Sequence, residues 1–599
     1  MVKQEKITHI SGKLYYKIFL AGANKILENQ ALLNSINIFP VPDADTGTNL
    51  AHTLRSVIDS AQPADSFQQT ADTIAIAALN GARGNSGIIF AQFLYGMSIE
   101  TSGTDRLSIN DFAEALRKSI QHVYRAVAEP VEGTMLTVIR EWAEFIYTQK
   151  DLFDDFIGLF VTAYEIAKKS LLETTNTLNV LKLANVVDAG AKGFVLFLEG
   201  VMEGFRKKSE KREIIVNNID ILPNNIHINS DHNFKFRYCT EALLKGKHLS
   251  HDSIRAQLSD LGDSLVIAGS DAMIRIHIHT DQPHLVFELL RKIGTLSYQK
   301  AEDMMMQKQI SQNRKWNIAL VTDSTSDIPA VLQDHYQIHV IPLNIHFGEN
   351  QYLDKLTIQP GQFFQMLRTS KDFPSTSQPN EADFYNLYSQ LSSYYDSVIS
   401  VHITKKFSGT YNSAVNAAKK VSQVSGKMIS VLDSKQVSGS LGLLTLRIAH
   451  AIEAGMNHND IVAEFDNWIP KSQIYVSVKD LRNMIRGGRV SQTKGFIARA
   501  LNVKPIVSID KEGNSLLFDR AFSQKSNMKK VMKHTKKFLE DKKLWNYQVL
   551  HAESEDTAQW FVDAMRELTG KEPLSILNIS PVIGLSAGEG TAAIALMTE

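Results

Sequence analysis

The 599-residue chain has very little cysteine: Cys239 is its single thiol, so no intramolecular disulfide can form, and such usage suits a reducing compartment. It has no excess charge of either sign. Lys plus Arg equals Asp plus Glu at 64 each, which removes the broad electrostatic footprint expected of a nucleic-acid partner or a stable anionic membrane surface. A charged partner must be met locally, and any membrane-surface contact is expected to be transient. No stretch approaches the roughly 18 consecutive apolar residues of a membrane span, and the apolar patch over residues 88–97 is short and interrupted. The opening MVKQEKITHI lacks the apolar core of a signal peptide, so a cytoplasmic location without a transmembrane segment is expected. What is present is an ordinary globular composition, 44% hydrophobic and 21% charged, in a chain too long for one core. About three domains is the expectation.

Periodicity divides the chain. Residues 1–206 repeat apolar positions at helical spacing, with few prolines and short glycine or asparagine breaks, and predict an all-α domain. Residues 207–233 are charged, then asparagine-rich, and read as a linker. Residues 234–306 carry two alternating stretches, FKFRYCTE and IRIHIHT, which predict half-buried strands of a small α+β domain. A polar connector over residues 307–315 follows. Residues 316–599 alternate apolar strands with polar turns and helices, the pattern of an α/β domain with a parallel sheet.

Residues 37–50, NIFPVPDADTGTNL, concentrate the oxygen ligands of the chain. Pro40 and Pro42 fix their own φ angles and bias Phe39 and Val41 to extended conformations. Asp43 and Asp45 follow, one residue apart, ahead of a helical face of Leu50, Leu54, Val57 and Ile58. Asp45, Thr46 or Thr48 can cap that helix. Two carboxylates on a braced loop suit Mg²⁺, which joins protein oxygens to nucleotide phosphates. An isolated pair of this kind would read as a turn and a cap. GARGNSG at residues 81–87 lets the backbone approach a ligand, with Arg83 able to face phosphate and Asn85 and Ser86 at a helix start. PVEGTMLTV at 130–138 and VVDAGAKG at 186–193 repeat the design, and four such loops suggest one composite site. In the middle region His277 and His279 share a strand face, and Cys239 lies on the polar face of its own strand.

In this order NIFPVPDADTGTNL, GARGNSG, PVEGTMLTVIR and VVDAGAKG resemble the nucleotide-binding domain of the dihydroxyacetone kinase L subunit family, in its fatty acid kinase A branch. The resemblance implies a helical barrel binding ATP through Mg²⁺. It makes Asp43 and Asp45 metal ligands with Asn37 a third, brings Thr46, Thr48, Asn49, Gly84, Asn85 and Ser86 to phosphates, and sets Thr134, Asp188, Ala189 and Gly190 around the nucleotide. Ala44 stands where the family usually has glycine. YCTE, LGDSLVI and IHIHT resemble the middle domain of fatty acid kinase A. They imply Cys239, His277 and His279 as Zn²⁺ ligands, with no fourth apparent, or as groups assisting phosphoryl transfer.

Beyond residue 316, VTDSTSDIP, TSQPN, FSGTYNSA, LDSKQVS, IRGGRVS and LNVKPIVSI each read singly as a turn or cap, but in this order they resemble the DegV family with its fatty acid kinase B members. The resemblance implies a fatty acid held between two α/β subdomains, its carboxylate met by Thr376, Ser377, Ser408, Gly409 and Arg489. Two departures stand out. TKKFSGTY replaces SSGLSGTY, putting Lys405 and Lys406 beside the carboxylate loop, and GLSAGEG replaces GTHVGPG, with Ser586 at the histidine and Glu589 at the proline.

The function expected is an ATP-dependent fatty acid kinase fused to its fatty-acid-binding partner, yielding an acyl phosphate for phospholipid metabolism, with Asp43, Asp45, His277 and Arg489 as catalytic groups. The resemblance further implies a homodimer. Two rival expectations are a kinase of another small hydroxyl or carboxylate compound and a lipid-binding or regulatory protein with an idle kinase domain.

Overall fold

The computed structural model describes residues 6–39, 45–206, 235–371, 373–479, 481–488 and 503–599. They form two compact units, Met1–Lys308 and Gln309–Glu599. Asp43, Ala44 and Arg489, and the linker expected at 207–233, lie outside the described residues.

The first unit opens as a helical bundle running from Gly12–Glu28 to Ala189–Arg206, with one short antiparallel pair, His9–Ser11 with Arg106–Ser108. Local chemistry sets the helix starts. Ser11, Ser108 and Asp155 each accept a backbone N–H in the first turn of the helix they precede. The buried faces meet in an aromatic core: Trp142 packs edge-on against Phe160 and Phe194, and Phe197 against Phe19 and Phe90. The first and last long helices touch backbone to backbone through Gly22 and Gly200; a Cβ on Gly200 would lie 2.4 Å from the Ala21 carbonyl oxygen.

A four-stranded antiparallel sheet completes the unit, in the order Gly262–Gly269, Met273–Thr280, Tyr238–Lys245, Thr295–Asp303. One face buries Leu244, Ile274, Ile276 and Ile278. The half-buried reading of the Met273–Thr280 strand does not hold, because the opposite face is covered too. Val266 and Ala268 on that face join the core of the bundle, and Arg275, His277 and His279 beside them are 1%, 2% and 7% exposed. The connector expected at 307–315 begins as helix, Met304–Gln312, which buries Met304, Met306 and Ile310.

The second unit holds two larger sheets. The first is parallel as expected, in the order Met428–Asp433, Ser397–His402, Ile318–Asp323, Ile338–Ile341. The other has six strands and is antiparallel except for its last pair, Leu544–His551 with Ile576–Asn578, so the parallel expectation covers only one of the two. The helix Ser438–Glu453 is buried almost all round, as its Gly-Leu-rich sequence requires. Among the described residues no helix is long and apolar enough to cross a membrane.

Gly200→Ala tests the close helix contact. The gain in helix propensity is about 1 kcal/mol, but the Ala21 carbonyl must move, and overpacking of this kind costs about 1–3 kcal/mol. The expected result is a lower urea midpoint for the first unit; an unchanged or higher midpoint would show that the two helices separate without cost.

Candidate functional site

Four helices of the first unit start from the small-residue loops singled out above, and their N-termini are stitched together. Asp45 occupies the cap position of Thr46–Ser60; its carbonyl accepts the Asn49 amide at 2.8 Å, while its carboxylate makes no cap hydrogen bond. The Asn49 side chain fills the space beside Gly84, 2.2 Å from where a Cβ would stand, and Gly84 has φ +58°. Ser86 lies in the same way against Gly190, as do Met135 and Asp188. Asp188 joins two N-termini: its carboxylate accepts the Ala191 amide at 2.7 Å and also a bond from the Met135 amide. Burial pushes this carboxyl up to about 6, the two amides offsetting part of the effect. Thr134 caps Met135–Gln149 and donates to the Val131 carbonyl at 2.8 Å. Ala189 and Gly190 begin their helix buried. Thr46 and Asn37 are also buried.

Two placements differ from expectation. The Thr48 hydroxyl accepts from Asn34 at 2.9 Å and Gln30 at 3.2 Å, so it docks its helix on Gln30–Ser35. The Gly84 amide, expected at a phosphate, donates instead to the Glu241 carboxylate at 2.6 Å, because the sheet brings that buried group to the positive end of the helix Gly84–Glu100. On either side of Gly84, however, Arg83 Nε and Asn85 Oδ1 are buried without a hydrogen-bond partner. A phosphate oxygen would satisfy the first, and a hydroxyl or hydrated cation the second.

The covered face of the sheet carries a dense set of ionisable groups. His277 Nε2 and His279 Nε2 are 3.2 Å apart, and Cys239 Sγ is 3.8 Å from His277 Nδ1. Asp263 stands 3.5 Å from His279 Nδ1 and Glu241 3.7 Å from His277 Nδ1. Glu241 also takes Arg275 at 3.1 Å, and Arg275 stacks on the Tyr298 ring at 4.1 Å. Burial would raise the Glu241 carboxyl, but His277, Lys300 and Arg275 together hold it well below the usual range. Burial would lower the Lys300 ammonium, but Glu302, at 2.8 Å, and Glu241 hold it charged. Burial and then the Glu241 charge push the Cys239 thiol well up; Asp45 adds to this, which puts the Asp45 loop within electrostatic reach of the thiol. On the helical side, burial and then Arg83 push His52 down to about 4, and Arg275 and Lys300 contribute. Asp45, the described carboxylate of that loop, and the Cys–His set are separate motifs in the sequence, and in the fold their charges act on one another. Glu241, Arg275, Lys300 and Asp263 were not read from the sequence, although Glu241 and Arg275 stand two residues from Cys239 and His277 and so share their face.

In the second unit Thr376, Ser377, Ser408 and Gly409 come together on a cavity of about 200 Å³, with Gln378, His551 and Ser586 beside them and apolar walls that include Phe407, Ile474 and Leu550. Thr376 and Ser377 sit on the strand Ser375–Ser377, and Gln378 accepts the Gly409 amide at 3.1 Å, tying the two hydroxyl loops together. Asp323 fixes the approach to the second loop by accepting the Ile403 amide at 2.9 Å and His402 Nδ1 at 3.1 Å. Lys405 and Lys406 do not line the cavity; Lys405 turns to Asp433 at 3.6 Å and to the Tyr411 ring. Glu589 pairs with Arg368 at 2.8 Å.

Asp188 gives a pH test. Its folded-state value of about 6 lies above the ordinary 3.8. Folding therefore favours the protonated form, and the group weakens the fold as pH rises through that window, by up to about 3 kcal/mol at neutral pH. Asp188→Asn keeps an acceptor and cannot ionise. Relative to wild type, its urea stability is expected to gain between pH 4 and pH 7; a difference independent of pH would show that the carboxyl is not raised.

Family models match three stretches: a DAK2 domain over residues 40–203, the middle domain of fatty acid kinase A-like proteins over 235–311, and the DegV family over 317–599. An uncharacterised protein of Staphylococcus epidermidis is 33% identical over 350 residues, which cover 54% of this chain and 62% of that protein. One of Staphylococcus saprophyticus is 31% identical over 335 residues, covering 54% and 60%. The match thus spans about three fifths of these relatives' length. Among solved structures, DegV of Bacillus subtilis, described as a fatty acid binding protein, is 29% identical with a TM-score of 0.44, covering 48% of this chain and all of that one. A DegV family protein from Thermus thermophilus, described for fatty acid binding, is 30% identical with a TM-score of 0.43, covering 47% and 100%. In order along one polypeptide, the chain carries a DAK2 domain, a fatty acid kinase A-like middle domain and a DegV domain.

Proposed function

We propose that the chain is an ATP-dependent kinase for the carboxyl group of a fatty acid held in its own DegV domain. The observation that carries this reading is the pairing, in one polypeptide, of a loop cluster with two orphaned polar atoms, Arg83 Nε suited to a phosphate oxygen and Asn85 Oδ1 to a hydroxyl or hydrated cation, and an apolar cavity lined in part by Thr376, Ser377 and Ser408. A carboxylate oxygen attacks the γ-phosphorus of ATP, the bond from that phosphorus to the β–γ bridging oxygen breaks, and ADP and an acyl phosphate result. The nucleophile is already anionic, so no general base is required, and the protein's task is positioning and charge neutralisation. Thr376, Ser377 and Ser408 donate to the carboxylate and Arg489 supplies charge. Arg83 faces phosphate, and Thr46, Asn49, Ser86, Thr134 and Asp188 shape the nucleotide cradle. Mg²⁺ held by Asp43 and Asp45, with Asn37 as a third ligand, would neutralise the β and γ phosphates. The carboxylate must reach the nucleotide, within one chain or between copies.

Cys239, His277 and His279 fit Zn²⁺. Tetrahedral zinc with the usual bond lengths spaces its nitrogen and sulfur ligands about 3.3–3.6 Å apart. The two histidine Nε2 atoms, 3.2 Å apart, agree, and one ligand atom from each of the three residues lies within 4.8 Å of the others. Cys239 Sγ stands 3.8 Å from the other His277 nitrogen, Nδ1, so the thiol must turn toward the histidine pair to share one ion; each histidine also has a carboxylate near Nδ1, as outer partners of zinc ligands commonly do. Three protein ligands leave a position open.

The reading is tested with the full chain, MgATP and oleate, trapping acyl phosphate with hydroxylamine. Hydroxamate is expected from wild type and a loss of at least about a hundredfold from Asp45→Ala, the scale of removing a principal electrostatic group. Equal activity in the variant would remove the Mg²⁺ assignment, and ADP release with glycerone but not with oleate would overturn the substrate. Zinc retained through desalting is expected in wild type and lost in Cys239→Ser.

A further inference from the structure

Glu241 has no part in the chemistry above, yet it touches both halves of the site. Its side chain is fully enclosed. Oε1 accepts the Gly84 amide at 2.6 Å and lies 3.7 Å from His277 Nδ1, while Oε2 accepts from Arg275 at 3.1 Å. Gly84 is held from the other side by Asn49, which occupies the space of a Cβ, and its left-handed φ of +58° makes the loop sensitive to both neighbours. Its flanking residues, Arg83 and Asn85, carry the two orphaned polar atoms. Where these atoms point therefore depends on where Glu241 and Asn49 hold Gly84.

On the sheet, His277 is shared in the same way. Nε2 faces His279 Nε2 at 3.2 Å, and Nδ1 faces Glu241. Two imidazole nitrogens this close are compatible when a cation or a proton lies between them. A cation taken by His277 and His279 through their Nε2 atoms, with Cys239 turned from its 3.8 Å place beside His277 Nδ1 to join it, fixes the His277 ring and leaves Nδ1 facing Glu241 at 3.7 Å. Once the cation is removed the ring is free to turn, and Glu241 loses one of its partners in a place where a buried carboxylate needs them.

We propose that Glu241 is a positioning residue that couples cation occupancy of the Cys239–His277–His279 cluster to the conformation of the 81–87 loop, so that Arg83 and Asn85 are set for a nucleotide only when the cation is bound. The proposal rests on the reading of these two places as cation and nucleotide sites. The coupling is reciprocal by linkage: whatever orders the loop also tightens the cluster's hold on its cation.

The test is hydrogen–deuterium exchange of the full chain, with zinc chloride present and after chelation with EDTA, for wild type, Glu241→Gln and Glu241→Ala. In wild type, chelation is expected to speed exchange in peptides covering 81–87 and 273–280 at least about tenfold, while the helix Ile109–Ala126 stays protected. Glu241→Ala is expected to exchange fast in the loop with or without zinc. Glu241→Gln, which keeps an acceptor for Gly84, is expected to be slow with zinc and less responsive to chelation. The MgATP Kd, from titration calorimetry, is expected to rise about tenfold in Glu241→Ala. Several results would overturn the coupling: loop exchange in wild type that changes less than twofold on chelation, a rise spread over the whole unit, a chelation response that persists in Glu241→Ala, or no zinc binding at all. Exchange requires no nucleotide, so a wild type that shows the coupling but binds no MgATP would remove the kinase reading and leave Glu241's role standing.

Discussion

The first unit depends on one buried electrostatic arrangement, the charged face of a sheet closed against the N-termini of a helical bundle. Arg275 and Lys300 are balanced there by Glu241 and Glu302, and little solvent reaches the centre of the group. Charges taken out of water are tolerated only when paired and hydrogen-bonded. The pairing therefore dictates more than local geometry. Glu241 must meet Arg275 and the Gly84 amide at once, and Gly269 and Ala128 add backbone bonds to Gln92 and Leu265 across the same seam. An apolar seam could slide; this one has a single register.

The second unit uses buried carboxylates in the same way around a different space. Asp327 accepts from Ser438 and from the Ser580 amide, more than a hundred and two hundred residues away in sequence. Asp354 accepts from Ser324 and from the Val582 amide, and burial pushes it up to about 6 despite Lys355 and the hydroxyls beside it. Asp323, lowered because His402 and its amide and hydroxyl donors outweigh its burial, holds the turn that leads to Ser408. The motif at residues 321–329 reads singly as a turn or cap in sequence. In the fold its aspartates tie together segments that surround the cavity, and the hydroxyls expected at a carboxylate come from the strand Ser375–Ser377 and the turn at Ser408.

Much of this was legible. Helical spacing over residues 1–206, alternation over 273–280 and the ordered loop motifs placed the elements and most of the candidate site. What escaped depended on contacts that one segment does not encode. An alternation of Ile with Arg and His is the same whether the polar face meets water or a second body, so the covered face, and with it Glu241 and Lys300, stayed invisible. The helix Met304–Gln312 was hidden because its few apolar positions are diluted by glutamine and lysine. The antiparallel half of the second unit was missed for a topological reason: the pairing of Lys504–Ile509 with Ser515–Ala521, and its direction, are settled by the turn between them.

The internal balance of the buried cluster bears on what a phosphate would meet. Two cations, Arg275 and Lys300, stand against three carboxylates, Glu241, Glu302 and Asp263, so the cluster offers an anion no net attraction at a distance. Arg83 lies on the bundle side of the Tyr298 ring system, 6.0 Å from its centroid, with Nε unpartnered. On the proposed kinase reading, the local attraction for a polyphosphate would then fall to Arg83 and to a cation at the 37–50 loop. On that reading nucleotide would bind weakly without a metal ion, and a preference for metal-bound nucleotide would follow from the charge of the sheet as much as from the loop itself.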